Sequence, residues 1–309
     1  MRIGYQPFAQ KPGRELADFQ RWNDIVRPDR GDARLKCVGA GEMLVASAHD
    51  FEDFSFPRPT LGPRMEGALE PVLDFLPANR WPFRFHCTYE ESAQRILDVV
   101  ERVGGRHGLD GLNWIFDHGE TITPATMDRI ARRGGGISYQ NRIALQAREY
   151  ERRYGTEALR AVMPVRAMMA SGVPLAAGTD ATRVSSCNPW LAIRWAVTGK
   201  GRGGDAIWSE GIPRHDTLRH WTVAGASFSR EAGQKGAIAP GQMADLAVLD
   251  RDCFTLPEDG IAAITADLTL PGGQVVHAAG AFSDRAPPVL PAPPAWSPVP
   301  VFGGPGVRT

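Results

Sequence analysis

Three apolar segments of the sequence each end in a side chain that can bind a metal ion. FRFH ends at His86, NWIFDH ends at His118, and PLAAGTD ends at Asp180. His86 and His118 are 32 positions apart and Asp180 follows 62 positions later. These spacings match one and two strand-helix units of a barrel whose roughly 250 residues divide into eight units. In such a barrel all three side chains would lie on the C-terminal rim, where these folds carry out their chemistry.

Two imidazoles and one carboxylate suit zinc, with iron and manganese as alternatives, and leave positions open for water and substrate. A metal ion would lower the pKa of bound water, and a nearby carboxylate could accept the proton during attack on a carbonyl. Asp180 is the candidate for that second role. Taken singly, a histidine at a strand end or an aspartate after Gly-Thr is commonly structural. The joint spacing of the three residues is what favours a metal site.

Short apolar runs alternate with longer amphipathic stretches, which predicts alternating strands and helices. The predicted strands are 2–6, 34–38, 82–87, 112–116, 136–139 and 173–177, and the predicted helices are 15–26, 65–77, 91–103, 124–132 and 164–171. Near-continuous apolar runs such as NWIF and VPLAA indicate a parallel sheet covered by helices on both faces. Such an α/β sheet can close into a barrel or stay open and doubly wound, and periodicity leaves both open.

The composition changes after Arg230, where short strand-like segments with Gly-rich turns replace the long helices. We therefore predict a barrel over 1–230, a small β-sandwich portion over 231–283, and a Pro-rich extended tail over 284–309. In the larger part, Thr123 should cap a helix that starts at Pro124 and stops at Gly134.

The overall composition excludes several classes of partner. The 35 basic side chains balance the 35 acidic ones, so no global field favours nucleic acid or anionic lipid. No apolar run approaches the roughly 20 residues that span a bilayer. The first residues lack the apolar region of a signal peptide, and we expect a cytoplasmic protein. Four widely separated cysteines form no C-x-x-C pair, which argues against a thiolate zinc site.

The segments HCTYE, FDHGET and GTDATR, followed by KGAIAPGQMADLAVLD, resemble the amidohydrolase superfamily. The resemblance is to its family 3 branch, which includes N-substituted formamide deformylases. The most specific element is the Gly-x-Ile-x-x-Gly-x-x-Ala-Asp-Leu stretch, which in this family returns the chain from the barrel to a small β-sandwich. The resemblance implies a TIM-type (β/α) barrel of the metal-dependent hydrolase kind with a small C-terminal β-sandwich portion.

The resemblance also implies roles for particular residues. His86, His118 and Asp180 would bind one or two divalent metal ions, zinc by preference, and Asp180 would also accept the proton. A carboxylated lysine that bridges two metals is the usual further ligand, and Lys36 in RLKCVGAGE is the nearest match. Glu42, at the end of the same segment, could supply a carboxylate instead. The implied activity is hydrolysis of a non-peptide carbon–nitrogen bond in a small-molecule substrate through metal-activated water.

Three further residues are candidates for substrate binding. Arg183 and Asn188 follow Asp180 in GTDATRVSSCNPW, and either could hold a substrate carboxylate or carbonyl. Tyr139 closes a predicted strand in GGGISYQ and could line the pocket. Structural pairing, or a tyrosine at the edge of the core with a satisfied hydroxyl, is the alternative explanation for these residues.

The sequence departs from the family in one respect, because it contains no His-x-His pair, the motif with which the family begins its barrel. We expect a barrel that is incomplete at its N-terminus, whose missing part lies upstream or is supplied by a completing chain or a homo-oligomer. A second hypothesis is a non-catalytic remnant or subunit that binds a small ligand or a partner chain. A third is a doubly wound domain in which the three metal-binding candidates lie far apart.

Overall fold

A computed structural model of the chain describes residues 2–51, 53, 54, 56–181, 184–208 and 210–288. The chain divides into two units. The larger unit comprises Met1–Met243 and Arg251–Ile264, and the smaller comprises Ala244–Asp250 and the residues from Thr265 onward. Of the predicted Pro-rich tail over 284–309, the part from position 289 onward lies outside the described residues.

The framework of the larger unit is six short parallel strands: β1 Ile3–Tyr5, β2 Leu35–Cys37, β3 Arg84–Cys87, β4 Ile115–His118, β5 Gly136–Tyr139 and β6 Leu175–Ala177. Each lies at or overlaps a strand predicted from the sequence. β1 pairs with β2, and β3 to β6 pair in the order of the chain. A doubly wound sheet reverses its strand order at a switch point, whereas these ladders contain no reversal. The α/β class is therefore confirmed, with the strand order of a barrel.

The segment after β2 continues the ladder onto β3. The Ala40 N–H donates to the Pro82 carbonyl at 2.8 Å, and the Arg84 N–H donates to the Ala40 carbonyl at 2.9 Å. One step further along, the His86 N–H donates to the Glu42 carbonyl at 3.1 Å. Because these bonds fix the backbone of Glu42 beside that of His86, two residues that are 44 positions apart in the sequence become neighbours.

Ten helices lie between and after the strands in the described chain: α1 Glu15–Ile25, α2 Met65–Ala78, α3 Glu90–His107, α4 Pro124–Arg132, α5 Arg142–Tyr154, α6 Thr156–Ala161, α7 Val165–Ser171, α8 Pro189–Thr198, α9 Arg214–Trp221 and α10 Val223–Phe228. The sequence predicted α1 to α4 and α7. Helix α4 begins as predicted, because the Thr123 hydroxyl accepts the Thr126 N–H at 3.4 Å and Pro124 occupies the first turn. Gly134 follows it with φ of 67°.

Alternation along β3 and β4 separates an apolar face from a polar one. Phe85 and Phe116 are each 1% exposed, and their ring centroids lie 5.2 Å apart in the core beneath the helices. Arg84 and Asp117, on the opposite face, line a cavity. Gly135 is needed where β5 begins, since a Cβ there would lie 2.4 Å from the Trp114 ring.

The smaller unit contains an antiparallel sheet of three strands, β7 Leu246–Leu249, β8 Ala266–Leu270 and β9 His277–Ala278. β8 is the central strand and pairs with both neighbours. Residues 231–243 and 251–264, which the sequence placed in the β-sandwich portion, are grouped with the larger unit.

Within the described parts of the chain, none of the helices combines the length and the apolar character needed to cross a membrane.

The loops that follow β3 and β4 are held together by Glu90. Its carboxylate accepts the Thr123 N–H at 2.8 Å and the hydroxyls of Thr123 and Thr126 at 3.0 and 2.7 Å. In return, the Glu90 N–H donates to the Thr121 hydroxyl at 2.9 Å. One carboxylate thus ties the start of α3 to the start of α4, next to the ends of both strands.

Replacing Glu90 by alanine should lower the free energy of unfolding by about 2 kcal/mol, because several polar groups lose a charged partner. Glu91, the next residue on α3, forms an exposed pair with Arg58 and is the matched control. Glu91→Ala should cost no more than about 1 kcal/mol, the usual limit for a surface ion pair. Urea denaturation of the two variants measures the difference, and equal losses would contradict this role of Glu90.

Candidate metal centre

Glu42, His86 and His118 bring three potential metal-binding atoms within 4.8 Å of one another. One carboxylate oxygen of Glu42 lies 3.5 Å from His86 Nδ1 and 3.4 Å from His118 Nε2. The centroids of the two imidazole rings are 3.9 Å apart. His86 and His118 are 3% and 1% exposed, while the Glu42 side chain is half-buried. The group is therefore a compact donor set at the carboxyl ends of neighbouring strands.

His118 reaches the cluster through an unusual backbone conformation. In the register between β3 and β4, Asp117 lies opposite His86, so strict alternation would turn the next side chain to the other face. His118 adopts φ of 81°, a left-handed value that is uncommon outside glycine. As a result Asp117 and His118 both line the same cavity. Backbone strain of this kind concentrates at functional sites.

Asp50 holds the chain that follows His86. Its carboxylate is 1% exposed and accepts the backbone N–H groups of Thr88 at 2.7 Å and Tyr89 at 2.9 Å. Burial raises the pKa of Asp50, although these hydrogen bonds oppose the shift. The contacts fix the path of the chain from the end of β3 into α3, and so limit how far the His86 backbone can move.

The two imidazoles favour the ionised form of Glu42. Burial by itself would raise the pKa of this carboxyl, but the contacts with His118 and His86 hold the pKa well below its ordinary value. Glu42 is therefore a carboxylate at neutral pH, which is the state that binds a cation.

The donor set fits a divalent metal ion. Nitrogen and carboxylate oxygen are both common zinc ligands, at about 2.0–2.2 Å from the ion. Two ligand atoms of a tetrahedral site then lie about 3.3 Å apart, close to the oxygen–nitrogen distances of Glu42. Three protein ligands with an open position are typical of a catalytic zinc site, whereas structural sites use four.

A cavity of about 270 Å³ adjoins the cluster. Residues that lie in or after the six parallel strands line it: Gln6, Glu42, Arg84, Asp117, His118, Ser138, Tyr139, Gln140, Gly178 and Asp180. Asp180 is exposed at this cavity and has φ of 52°, so it shares the left-handed conformation of His118. The structure thus places Asp180 at the same cavity as His118, while the group of three ligand atoms consists of Glu42 and the two histidines.

Arg84 and Asp117 form an ion pair in the wall of the cavity. The Arg84 Nε–H donates to Asp117 Oδ2 at 2.7 Å, and a second guanidinium nitrogen contacts Oδ1. Burial would lower the pKa of Arg84, but the charge of Asp117 outweighs it and the pKa rises. The pair follows from the register, since Asp117 lies beside β3 on the face that carries Arg84 and His86.

Lys36, the predicted bridging ligand, lies in β2 and its Nζ pairs with the Glu231 carboxylate at 3.3 Å. Glu42, six residues later, brings its carboxylate to the two histidines. The difference follows from the ladder, because the residue hydrogen-bonded to His86 is Glu42 rather than Lys36.

Two of the predicted substrate-binding residues, Tyr139 and Asn188, have side-chain hydrogen-bond partners, and Tyr139 also lines the cavity. The Tyr139 side chain is 2% exposed, and its hydroxyl lies 3.1 Å from His220 Nδ1. Burial raises the pKa of this phenol. Asn188 caps α8, where its side-chain oxygen accepts the Trp190 N–H at 3.0 Å. Arg183 lies outside the described residues.

Arg84, Asp117 and Gln6 are site residues that the motifs and their spacing did not predict. The available signal was a charged residue inside an otherwise buried strand, as in FRFH and IFDH, where Arg84 and Asp117 interrupt apolar runs. A charge in such a position needs a partner, and two interrupted neighbouring strands indicate a pair.

Known proteins that resemble this chain in sequence or fold are amidohydrolases and metal-dependent hydrolases. Residues 3–277 match the amidohydrolase family. The protein YtcJ of Bacillus subtilis (strain 168), which is named as an amidohydrolase, is 24% identical over 200 residues. That similarity covers 62% of this chain and 36% of YtcJ.

Two crystal structures show the same fold. An uncharacterized metal-dependent hydrolase from Pyrococcus horikoshii OT3 matches with a TM-score of 0.64 and 20% identity, over 82% of this chain and 52% of that one. Atrazine chlorohydrolase TrzN from Arthrobacter aurescens TC1, complexed with zinc, matches with a TM-score of 0.53 and 16% identity, over 88% and 57%. The chain thus spans little more than half of these solved structures.

The chain belongs to the amidohydrolase family, because the family match covers most of its length. The likeness to the solved structures shows that its fold is that of the metal-dependent hydrolases.

Arg84→Met would leave the Asp117 carboxylate without its partner, and we expect a loss of about 3 kcal/mol in the free energy of unfolding. The Arg148–Asp205 pair is the control, because its side chains are 69% and 59% exposed. Arg148→Met should cost about 0.2–1 kcal/mol. Asp117→Asn in the Arg84→Met background removes the uncompensated charge and should restore part of the loss. Denaturant titration measures the free energy of unfolding of all three variants. If Arg84→Met were as stable as Arg148→Met, the ion pair would not have the stabilising role assigned to it.

Proposed function

We propose that this chain carries the metal centre of an amidohydrolase that cleaves a carbon–nitrogen bond other than a peptide bond. The proposal depends on one observation, the convergence of Glu42, His86 and His118 beside a cavity that also holds Asp180. Membership of the amidohydrolase family supports the bond class. The substrates we propose are N-acylated small molecules, as in the formamide deformylase-like branch that the sequence resembles.

Zinc is the ion we propose, in a single site held by Glu42 Oε2, His86 Nδ1 and His118 Nε2. Two nitrogens and one oxygen suit this ion better than harder cations such as magnesium. The zinc complex of the chlorohydrolase, a protein of similar fold, supports the choice. When bound, the ion supplies a water molecule of lowered pKa and a positive charge that polarises a carbonyl group.

Asp180 is the proton carrier in this proposal. Asp180 lines the cavity that His118 also lines, and in this proposal its carboxylate accepts the proton released as water attacks the carbonyl carbon. The same carboxyl can return that proton to the nitrogen as the carbon–nitrogen bond breaks. The products are a carboxylic acid and an amine.

The space at the site suits a small molecule. The cavity of about 270 Å³ shares Gln6, Glu42, Arg84, Ser138 and Gly178 with a second cavity of about 560 Å³, and small-molecule sites usually measure about 300–1,000 Å³. Gln6, Ser138 and the paired Arg84 supply polar groups on its wall. We therefore propose that the substrate is a small molecule with polar groups.

We also propose that another polypeptide chain pairs with the outer strands of the barrel. In the described ladders β1 pairs with β2 and β6 pairs with β5, so each of these outer strands has one parallel neighbour. A completing chain or a second copy of this chain could pair with their outer edges, as parallel strands do when a barrel closes. Activity assays should therefore cover a range of protein concentrations.

Zinc binding is the first test. The protein should bind about one equivalent of zinc, and Glu42→Gln, His86→Ala and His118→Ala should each lower the affinity by about 100-fold or more, since ligand count sets affinity. Competition with a chromogenic chelator measures the zinc dissociation constant of each variant. Lys36→Met is the matched control, because Lys36 lies on the preceding strand and pairs with Glu231. It should bind zinc as the unchanged protein does.

Either of two results would overturn the metal assignment. One is an unchanged protein that binds no zinc, iron or manganese. The other is a Lys36→Met variant that loses zinc as completely as Glu42→Gln, which would return the ligand role to Lys36.

The proton-transfer role of Asp180 gives a kinetic prediction. In the zinc-loaded protein, Asp180→Asn should lower kcat for a hydrolysed N-formyl or N-acetyl amine by about 10²–10⁴-fold. Zinc affinity should change little, because Asp180 is not one of the three clustered ligands. Asp205→Asn is the control, because Asp205 is an exposed residue that pairs with Arg148 on the surface. Zinc binding without hydrolysis of any amide tested would favour a non-catalytic, ligand-binding role.

A further inference from the structure

Gln140 makes a direct contact with one of the three clustered residues. It follows β5, is 5% exposed, and the nitrogen of its side-chain amide lies against Nδ1 of His118. The pairing of Asp117 with Ser138 brings the end of β5 beside the end of β4, which is how the two side chains meet. Since His118 is 1% exposed, little water can take the place of the amide.

The Gln140 amide lies closer to Nδ1 of His118 than to Nε2. Its nitrogen contacts Nδ1 and lies 3.4 Å from Nε2, which is also 3.4 Å from the Glu42 carboxylate. A neutral imidazole carries its proton on one nitrogen only and offers the other as an acceptor or metal ligand. Nε2 can bind a cation beside Glu42 only when the proton lies on Nδ1. The group that contacts Nδ1 therefore decides whether His118 is ready to bind metal.

A glutamine amide can present either of its ends. The carbonyl oxygen accepts a hydrogen bond and the NH₂ group donates one, yet the two ends have nearly the same shape. A half-turn of the Gln140 amide therefore exchanges the nitrogen that lies against Nδ1 for Oε1. Among the described residues, Gln140 Oε1 is a buried atom without a hydrogen-bond partner, so no other side chain there fixes the amide through that atom. The protonation of the His118 ring and the direction of the amide are thus set together.

We infer that Gln140 is the positioning residue of His118: its carbonyl oxygen accepts the Nδ1–H and leaves Nε2 free to bind the cation. The inference rests on the proposed metal site and adds a residue that sets the protonation of one ligand. Histidine ligands of metal ions commonly donate their second N–H to an acceptor in this way, and loss of that acceptor costs about 10–100-fold in metal affinity.

Two substitutions separate this role from simple packing. Gln140→Met keeps a side chain of similar size but removes the acceptor, so zinc affinity should fall by about 10–100-fold. Gln140→Glu supplies a carboxylate, which only accepts hydrogen bonds when ionised, so affinity should stay close to that of the unchanged protein or rise. Gln94→Met, at an exposed position on α3, is the matched control and should leave zinc binding unchanged.

A second readout uses the metal-free protein. Long-range ¹H–¹⁵N correlation spectra distinguish the two neutral forms of a histidine ring. At a pH where His118 is neutral, the unchanged protein and Gln140→Glu should show the proton on Nδ1. Gln140→Met should shift the ring toward the form with the proton on Nε2, which can donate to Glu42.

The results for the Gln140 variants can be distinguished from a failure of the proposed metal site. If the unchanged protein binds zinc and Gln140→Met binds it equally well, the role of Gln140 is refuted while the metal site stands. If Gln140→Glu loses as much affinity as Gln140→Met, the amide is needed as a donor or for packing, which also overturns the inference. If no variant binds zinc, the NMR spectra still decide which nitrogen of His118 carries the proton.

Discussion

The backbone ladder between the end of β2 and β3 is the constraint on which the site depends. The hydrogen bond from the His86 N–H to the Glu42 carbonyl places a carboxylate beside one imidazole, and the parallel register of β3 with β4 brings the second imidazole to the same end. These contacts are made by the main chain, so they hold the donor atoms together through a rigid framework. A site built on strand ends in this way is better ordered than one built on loops alone.

That framework has to accommodate charge in a largely buried place. The polar face of β3 and β4 carries Arg84 and Asp117 as a pair, and the two histidines lie against the Glu42 carboxylate. Each charged group thus has an opposite or polar neighbour, as buried charges require. Around this centre, Asp50 and Glu90 hold the loops after β3 through hydrogen bonds to backbone and hydroxyl groups. The site is therefore supported from both the strand and the loop side.

Much of the fold could be predicted because the strands and helices carry strong local signals. The six parallel strands, the cap at Thr123 and the α/β class all follow from apolar runs and turn residues. Helices α5, α6, α8, α9 and α10 were not predicted. The residue pattern also could not decide between a barrel and a doubly wound sheet, because both use the same buried parallel strands, and only the pairing order distinguishes them.

The sequence by itself determined which residues could bind a metal, since His86 and His118 stand at the ends of apolar runs whose spacing matches a strand-helix repeat. It also left Glu42 as an alternative to Lys36. Only the tertiary structure places the Glu42 carboxylate beside both histidines, because the backbone of Glu42 pairs with that of His86 across two strands. The same holds for His118, whose left-handed backbone cancels the alternation that a sequence pattern assumes. The order of residue types along the chain indicates which side chains could bind a metal. Whether those side chains come together depends on strand register and backbone dihedrals, which long-range pairing sets.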